Sequence, residues 1–326
     1  MQAIRVREPG GPEVLKLVEE PAPQPGPGEI GIDVVAAGIN RADLMQRQGH
    51  YPPPPGASDV IGLEVSGLVA EIGDGVTGWK VGDPCVALLA GGGYASYAVA
   101  PAGQVVPPPP GVDLVTAAGL IEVAATVQSN LANVWLAAGE VVLVHGGAGG
   151  IGSFAIPYAK QLGATVIATA GSPEKLEFCR SRGADHVLSY REDWAAGVRE
   201  LTDDRGVDVI LDPIGAKYLE EHVRLLATGG RLVVIGFQGG GKGTVDLRRM
   251  LAKRSWIHSA SLRGRPVEEK TAICRAVVDQ VWPLIGDGTI EPAPYETFPL
   301  ADAAAAHARM ESGGHTGKIV LVVADR

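Results

Sequence analysis

The sequence predicts an α/β protein in which a doubly wound parallel sheet is inserted into a β-rich barrel domain. Three observations predict it. Residues 1–110 carry short alternating apolar runs (IGIDVVAAGI, EVSGLVAEIG, DPCVALLA, YASYAVAPA) between glycine and proline clusters, the spacing of a partly open antiparallel barrel. After Pro110 apolar strands alternate with helical patterns, and VVLV, TVIA, VILD and RLVVIG are apolar throughout, as in a parallel sheet covered on both faces. The chain has 326 residues, beyond the size at which a single core stops growing.

The elements follow in order. The proline tracts at 52–55 and 107–110 read as rigid extended loop. Helical spacing covers 113–138. Then come VVLVHGG, a helix over 150–162, ATVIATA, a helix over 172–182, HVLSY, a helix over 194–201, VDVILDPI, a helix near 218–226 and GRLVVIGF. The last quarter holds helices over 267–287 and 300–311 and a final strand, KIVLVV, expected to return to the first domain. The seams are placed so that 1–122 with 266–326 form one domain and 123–265 the other. No internal repeat of fixed period occurs.

Composition narrows the function. The net charge of −9 leaves no basic footprint for nucleic acid or an anionic membrane surface. No run of about 18 apolar residues suggests a membrane span, and MQAIRVREPGG does not read as a secretory signal. Three widely spaced cysteines, Cys85, Cys179 and Cys274, point to a reducing, cytoplasmic setting without a disulfide framework or cysteine-rich metal site. Cys85 reads as a core residue. No histidine neighbours Cys179 or Cys274 in sequence to suggest activation, and no serine shows a hydrolase elbow.

The strongest motif is VVLVHGGAGGIG, residues 141–152. An apolar strand runs into a glycine-rich turn and then a helix. Gly149 allows close backbone approach to a pyrophosphate, the N–H groups of Gly150 and Ile151 at the helix start face its negative charge, and Gly152 allows the helix to pack against the strand. The alternative is a tight turn with no ligand. His145, just before the turn, reads as strand-end packing or a loop hydrogen bond rather than a base. An NAD site places an acid roughly 20 residues after the turn. Here the second strand ends at Ala170 and continues Gly171, Ser172, Pro173, Glu174, Lys175. A small residue, a hydroxyl and a lysine suit a 2′-phosphate, and Tyr190 is placed to close the pocket, which favours NADPH. Ser172 also reads as a helix N-cap with Pro173 at the first helical position, and the two roles are compatible. Lys175 reads either as the phosphate's partner or as a solvated helix residue, with Glu174 a mild objection to the former.

These segments resemble a known family. VREPGGPEVL, the block AAGINRADLMQRQGHYPPPPGASDVIGLEVSG, GWKVGD, GGGYASYAVAP, the HGGAGGIG turn, TAGSPEKLEFCRSRGADHVLSY, VILDPIG and SASLRGRP are similar to the zinc-free quinone oxidoreductases, the zeta-crystallin-like branch of the medium-chain dehydrogenase/reductase superfamily. They are nearest to its stress-inducible NADPH:quinone oxidoreductase group. The resemblance spans essentially the whole chain and implies a Rossmann domain inserted in a GroES-like β-rich barrel. Zinc alcohol dehydrogenases of the superfamily carry cysteine where Asn40 stands and GHE where this chain has Gly62-Leu63-Glu64. Three protein ligands for catalytic zinc cannot be assembled from these positions. Reduction of an electron-poor acceptor, a quinone or conjugated carbonyl, is then the expected chemistry.

The resemblance implies further roles. Asn40 and Tyr51 match positions beside the nicotinamide and the acceptor: Asn40 to hydrogen-bond the acceptor oxygen, Tyr51 to orient the acceptor or deliver a proton. Asp43 organises their loop. Thr126 matches a threonine near the nicotinamide ring. Ile235, Gly236 and Phe237 match a stretch passing the nicotinamide ribose, and Ser261, Leu262 and Arg263 match a cofactor-contacting segment. Lys318 is expected either to reach the cofactor or to be an exposed turn lysine. The segment Ile121-Glu122-Val123-Ala124-Ala125-Thr126-Val127 departs from the family's Pro-Glu pair and bulkier residues, which suggests altered packing or a roomier acceptor site. A homodimer or dimer of dimers is implied, paired edge to edge near Trp256 to Leu262. The competing functions are an NADPH-dependent alkenal or enoyl-thioester reductase, and an NADPH-binding structural or sensor protein with little turnover.

Overall fold

The computed structural model describes residues 1–323. The chain divides into two compact units, 1–128 with 262–326, and 129–261. The seams expected from sequence, 122/123 and 265/266, lie six and four residues away, and residues 324–326 of the first domain fall outside the described residues. Leu262 and Arg263 therefore belong to the first unit.

The first unit opens with β1 (Gln2–Val6) and β2 (Leu15–Glu19), an antiparallel pair. Next come β3 (Glu29–Gly38), α1 (Arg41–Arg47), β4 (Glu64–Ile72), β5 (Pro84–Leu88), β6 (Tyr97–Pro101), β7 (Val105–Val106), α2 (Leu114–Ala117) and α3 (Ile121–Asn133), the last running on into the second unit. The helix expected over 113–138 is thus two, with Asp113 capping the first through the Thr116 N–H. The second unit holds β8 (Val141–Val144), α4 (Gly150–Gln161), β9 (Thr165–Ala170), α5 (Pro173–Ser181), β10 (His186–Ser189), α6 (Trp194–Leu201), β11 (Val207–Asp212), α7 (Leu219–Leu225), β12 (Leu226–Val234), α8 (Leu247–Lys253) and β13 (Trp256–Ser259). The return to the first unit consists of α9 (Val267–Gln280), α10 (Trp282–Gly286), β14 (Tyr295–Pro299), α11 (Ala303–Glu311) and β15 (Lys318–Val322). The single helix expected over 267–287 breaks at Val281, because Pro283 has no N–H to continue it.

In the second unit six parallel strands run in the order β10-β9-β8-β11-β12-β13. The order reverses about β8, so the crevice beyond the carboxyl ends of β8 and β11 is a topological switch point. Leu143, Ile167, Ile210 and Leu232 carry the core on one face with Trp194 and Val198 of α6. In the first unit β3 is shared: residues 29–33 pair with β6, and residues 36–38 pair with 320–322 of β15. The last strand thus joins the first unit's sheet beside the end of β3 that leads into α1.

Two local constructions position the residues of interest. At the end of β8, Gly146 adopts φ +66°, a left-handed turn that glycine enters without steric cost. A Cβ on Gly152 would lie 2.4 Å from the Gly146 carbonyl oxygen and 2.5 Å from the Gly147 Cα, so the first turn of α4 sits directly on the bend. A Cβ on Gly149 would meet only the Gly146 oxygen, at 3.5 Å. In the first unit α1 is held by a buried polar network. The Asp43 Oδ2 accepts from the Asn40 N–H (2.7 Å) and the Tyr94 hydroxyl (3.1 Å), Tyr94 reaches His307 (3.0 Å), and fully buried Arg47 binds the Gly10 carbonyl, His307 and Glu311. Burial drives the Asp43 carboxyl from 3.8 up to about 7, against the pull of the Asn40 and Tyr94 hydrogen bonds.

Gly152→Ala is expected to cost about 1–3 kcal/mol through overpacking. Gly149→Ala, at an extended φ of −83° with space around it, is expected to cost less than about 1 kcal/mol. Urea denaturation of both variants checks the contrast. Because the folded value of Asp43 is raised, its contribution to stability is full below the ordinary value of 3.8 and is lost as pH rises through about 7. Wild type should therefore lose stability relative to Asp43→Asn across that window; a pH-independent difference in denaturation midpoint would contradict this.

Candidate functional site

The residues singled out from sequence fall into two groups, one in each unit. In the second unit they lie on loops at the carboxyl ends of the parallel strands. No side chain caps α4, whose N-terminus begins at Gly149. The N–H groups of its first turn have no intrahelical acceptor and carry the positive end of the helix dipole. Beside β9 the ring of Tyr190 lies against Gly171: a Cβ there would be 2.2 Å from the Tyr190 hydroxyl, so a larger residue would have to push the ring aside. The Tyr190 N–H donates to the Ala170 carbonyl (3.0 Å). Ser172 caps α5 by accepting the Lys175 N–H at 3.4 Å, with Pro173 following as anticipated. Lys175 is half-buried, and Tyr190 is exposed. Gly171, Ser172, Lys175 and Tyr190 are thus brought together. Glu174 points to solvent, and a hydrogen bond with Ser172 holds its carboxylate below the usual range.

Ile235, Gly236 and Phe237 follow the end of β12. The Ile235 N–H donates to the Asp212 carbonyl (2.8 Å), a Cβ on Gly236 would lie 2.9 Å from the Pro213 oxygen, and the Phe237 ring is exposed. Ser261, just beyond β13, is exposed. His145 is buried and hydrogen-bonded, its Nδ1 to the Thr169 hydroxyl (2.9 Å) and its Nε2 to His222 Nε2 (2.9 Å). Burial holds both rings neutral, His222 down to about 3. His145 is therefore no base at neutral pH. The partnership with His222 lies 77 residues away in sequence and carries no local signal.

In the first unit Asn40, Glu64, Glu122, Thr126 and Lys318 form one network. Asn40 stands at the N-cap of α1, Glu64 opens β4, Glu122 and Thr126 sit one turn apart on α3, and Lys318 opens β15. Glu64 is fully buried: its Oε1 accepts from Asn40 Nδ2 (2.9 Å) and Lys318 Nζ (2.7 Å), and its Oε2 from the Glu122 N–H (2.9 Å). Lys318 also donates to the Asn40 Oδ1 (2.8 Å) and the Ile39 carbonyl (3.1 Å). Three acceptors match its three hydrogens. Lys318 is buried rather than an exposed turn lysine, and its three hydrogens are taken up within the chain, one of them by Asn40. Thr126 Oγ1 lies 3.1 Å from Glu122 Oε1. The Glu122 carboxyl is pushed up to about 7, first by burial, then by the charge of Glu64, against the Lys318 ammonium.

Arg263, expected among the cofactor contacts, donates to the Ala90 carbonyl (2.7 Å), the Tyr51 carbonyl (3.2 Å) and the Gln46 Oε1 (2.7 Å), and its guanidinium lies 5.2 Å from the Tyr51 ring centroid. It braces the Tyr51 loop. Leu262 beside it is half-buried. Glu64 and Glu122 were not singled out as site residues from sequence. Their only signal is an acid standing in an otherwise apolar stretch.

The residues present do not fit a catalytic zinc. Among the described residues no group of three or more His, Cys, Asp or Glu side chains is placed to hold a metal ion, and Glu64 faces an ammonium. The three cysteines are buried and free.

Comparison with known proteins gives the relationship. The family described as alcohol dehydrogenase GroES-like domain matches residues 26–110, and the one described as zinc-binding dehydrogenase matches 150–278. A quinone oxidoreductase of Rattus norvegicus is 33% identical, covering 99% of this chain and 98% of the relative. A phenolphthiocerol/phthiocerol polyketide synthase subunit of Mycobacterium tuberculosis is 34% identical over 98% of this chain, which corresponds to 15% of that longer protein. The crystal structure of Escherichia coli quinone oxidoreductase complexed with NADPH superposes with a TM-score of 0.91 at 31% identity, covering 99% of this chain and 100% of the other. With the GroES-like and Rossmann parts both present and full-length likeness to quinone oxidoreductases, the chain belongs to the medium-chain dehydrogenase/reductase superfamily and is an oxidoreductase of its quinone oxidoreductase family.

Proposed function

We propose that this protein reduces quinones and similar conjugated carbonyls with NADPH, without zinc. The observation that carries the proposal is Asn40, whose amide is clamped by Lys318 and Glu64 at a position where zinc enzymes of the superfamily need a metal ligand. Bound NADPH supplies a hydride to the acceptor. The backbone of Gly149, Gly150, Ile151 and Gly152 is suited to its pyrophosphate. Ser172, Lys175 and Tyr190 suit its 2′-phosphate, Lys175 as a point charge. Gly171, Thr126, Ile235, Gly236, Phe237 and Ser261 are its further expected neighbours.

One hydrogen of Asn40 Nδ2 goes to Glu64, which fixes the plane of the amide and leaves the second for the acceptor oxygen as negative charge develops there. Lys318 on the Oδ1 side polarises that amide and so strengthens its donor. Tyr51, held by Arg263, orients the acceptor. Similarity to part of a polyketide synthase favours a second reading, reduction of the carbon–carbon double bond of an enoyl thioester.

NADPH oxidation with 1,2-naphthoquinone, 1,4-benzoquinone, a 2-alkenal and a crotonyl thioester separates these. Faster turnover of quinones is expected; preference for the thioester supports the second reading. Tight NADPH binding with no turnover of any acceptor would leave a structural or sensor role. Lys175→Ala is expected to raise the NADPH KM about tenfold or more, the worth of a charged hydrogen bond, and to leave that for NADH little changed. Equal effects on both would refute the 2′-phosphate assignment.

We further propose a homodimer, or a dimer of dimers, paired through β13. It is the edge strand of its sheet, with Trp256 and Ile257 exposed on it and Leu247 and Leu251 exposed on α8. Ile257→Lys should shift the sedimentation coefficient to that of a monomer. A cytoplasmic location suits three free cysteines, and no helix among the described residues is long and apolar enough to cross a membrane.

A further inference from the structure

The network around Glu64 contains more acid than it needs to fix Asn40. Lys318 balances the charge of Glu64, to which it is directly bonded. Two further carboxyls, Glu122 and Asp43, feel the same cation without being bonded to it, and each feels Glu64 as a like charge. Of the two, Asp43 is occupied in holding α1. Glu122 has no such structural duty for its carboxyl. It is the backbone N–H of Glu122, not its side chain, that binds Glu64. The carboxyl turns instead toward the hydroxyl of Thr126, one helical turn on, at 3.1 Å. Thr126 and Asn40 retain the same small exposure, 8% each, while Glu64 between them has none. With Glu122, which keeps partial exposure of its own, they are the points at which the buried network approaches solvent.

We propose that Glu122 is the source of the proton that completes the reduction, passed to the acceptor through the hydroxyl of Thr126. The inference rests on the reading of this site as one that reduces a conjugated carbonyl. The acceptor gains two electrons with the hydride and needs one proton to become neutral. The Thr126 O–H bond breaks as an O–H bond forms on the reduced acceptor, and the proton of Glu122 restores the threonine hydroxyl. Glu122 is left as a carboxylate and recovers its proton from solvent, to which the residue keeps partial exposure. The charges that set its acidity are Glu64 and Asp43, which disfavour ionisation, and Lys318, which favours it. With a value raised to about 7, Glu122 is protonated over the range in which a donor is required and exchanges easily at neutral pH.

Infrared difference spectroscopy of the ligand-free protein provides a readout independent of turnover. A protonated-carboxyl carbonyl band should titrate near pH 7 and lose one component in Glu122→Gln, with Asp43 and, about a unit lower, Asp212 supplying the remainder. In steady-state assays with NADPH and 1,2-naphthoquinone, wild-type kcat/KM should fall as pH rises above about 7. Glu122→Gln should lower the rate by about 10²-fold and abolish that alkaline limb, with NADPH affinity retained. Thr126→Val should likewise lower the rate and abolish the limb, while Thr126→Ser, which keeps the hydroxyl, should restore both rate and profile. A Glu122→Gln enzyme that folds, reduces the quinone and keeps the wild-type pH profile would overturn the proposal and leave the quinone-reductase reading standing. So would a carboxyl band unaffected by that substitution. Failure of the wild-type protein to reduce any conjugated acceptor at any pH would overturn the underlying reading instead.

Discussion

Glu64 is a carboxylate with no solvent exposure, and the rest of the first unit's site depends on its being satisfied. A buried charge left unpaired is unstable by several kcal/mol, so its surroundings must supply both a counter-charge and hydrogen bonds. They come from three segments far apart in sequence: the start of α1 through Asn40, the start of α3 through the Glu122 N–H, and the start of β15 through Lys318. Each segment is therefore anchored at the end that carries functional side chains. Close packing reinforces the ionic demand, because a Cβ on Gly38 would lie 2.2 Å from the Glu64 Oε1 and 2.6 Å from the Ala118 carbonyl oxygen.

The two units solve recognition by different physics. The second offers mainly backbone: an uncapped helix start, a left-handed glycine and a glycine over which a tyrosine ring folds. Such a surface suits phosphate, whose charge is fixed and whose shape varies little. The first offers side chains in a crowded electrostatic setting, where a carboxyl lies near its midpoint at neutral pH and a histidine does not titrate there. That suits a changing charge, as on an acceptor being reduced.

Much of this was legible in the sequence, and where it was not the reasons are physical. The glycine turn and the cap at Ser172 depend on short-range steric rules, which local motifs express directly. The strand alternation after Pro110 announced the parallel sheet for the same reason. Lys318 was harder: an exposed turn lysine and a buried cation look alike until its partners, 254 and 278 residues away, are known. Arg263 was placed with the cofactor because the segment 261–263 resembles a cofactor-contacting one of the family, and its donors turn to Gln46, Tyr51 and Ala90. Glu122 was noticed only for the small residues that follow it. Its environment is made by Glu64 and Lys318, contacts that helical periodicity does not reveal.

The cation beside Glu64 is part of the polypeptide. A metal centre must be loaded after synthesis, and its occupancy follows the supply of ions and the ligands that compete for them. A lysine on a β-strand arrives with the fold. The charge that neutralises Glu64 is therefore in place once β15 pairs with β3.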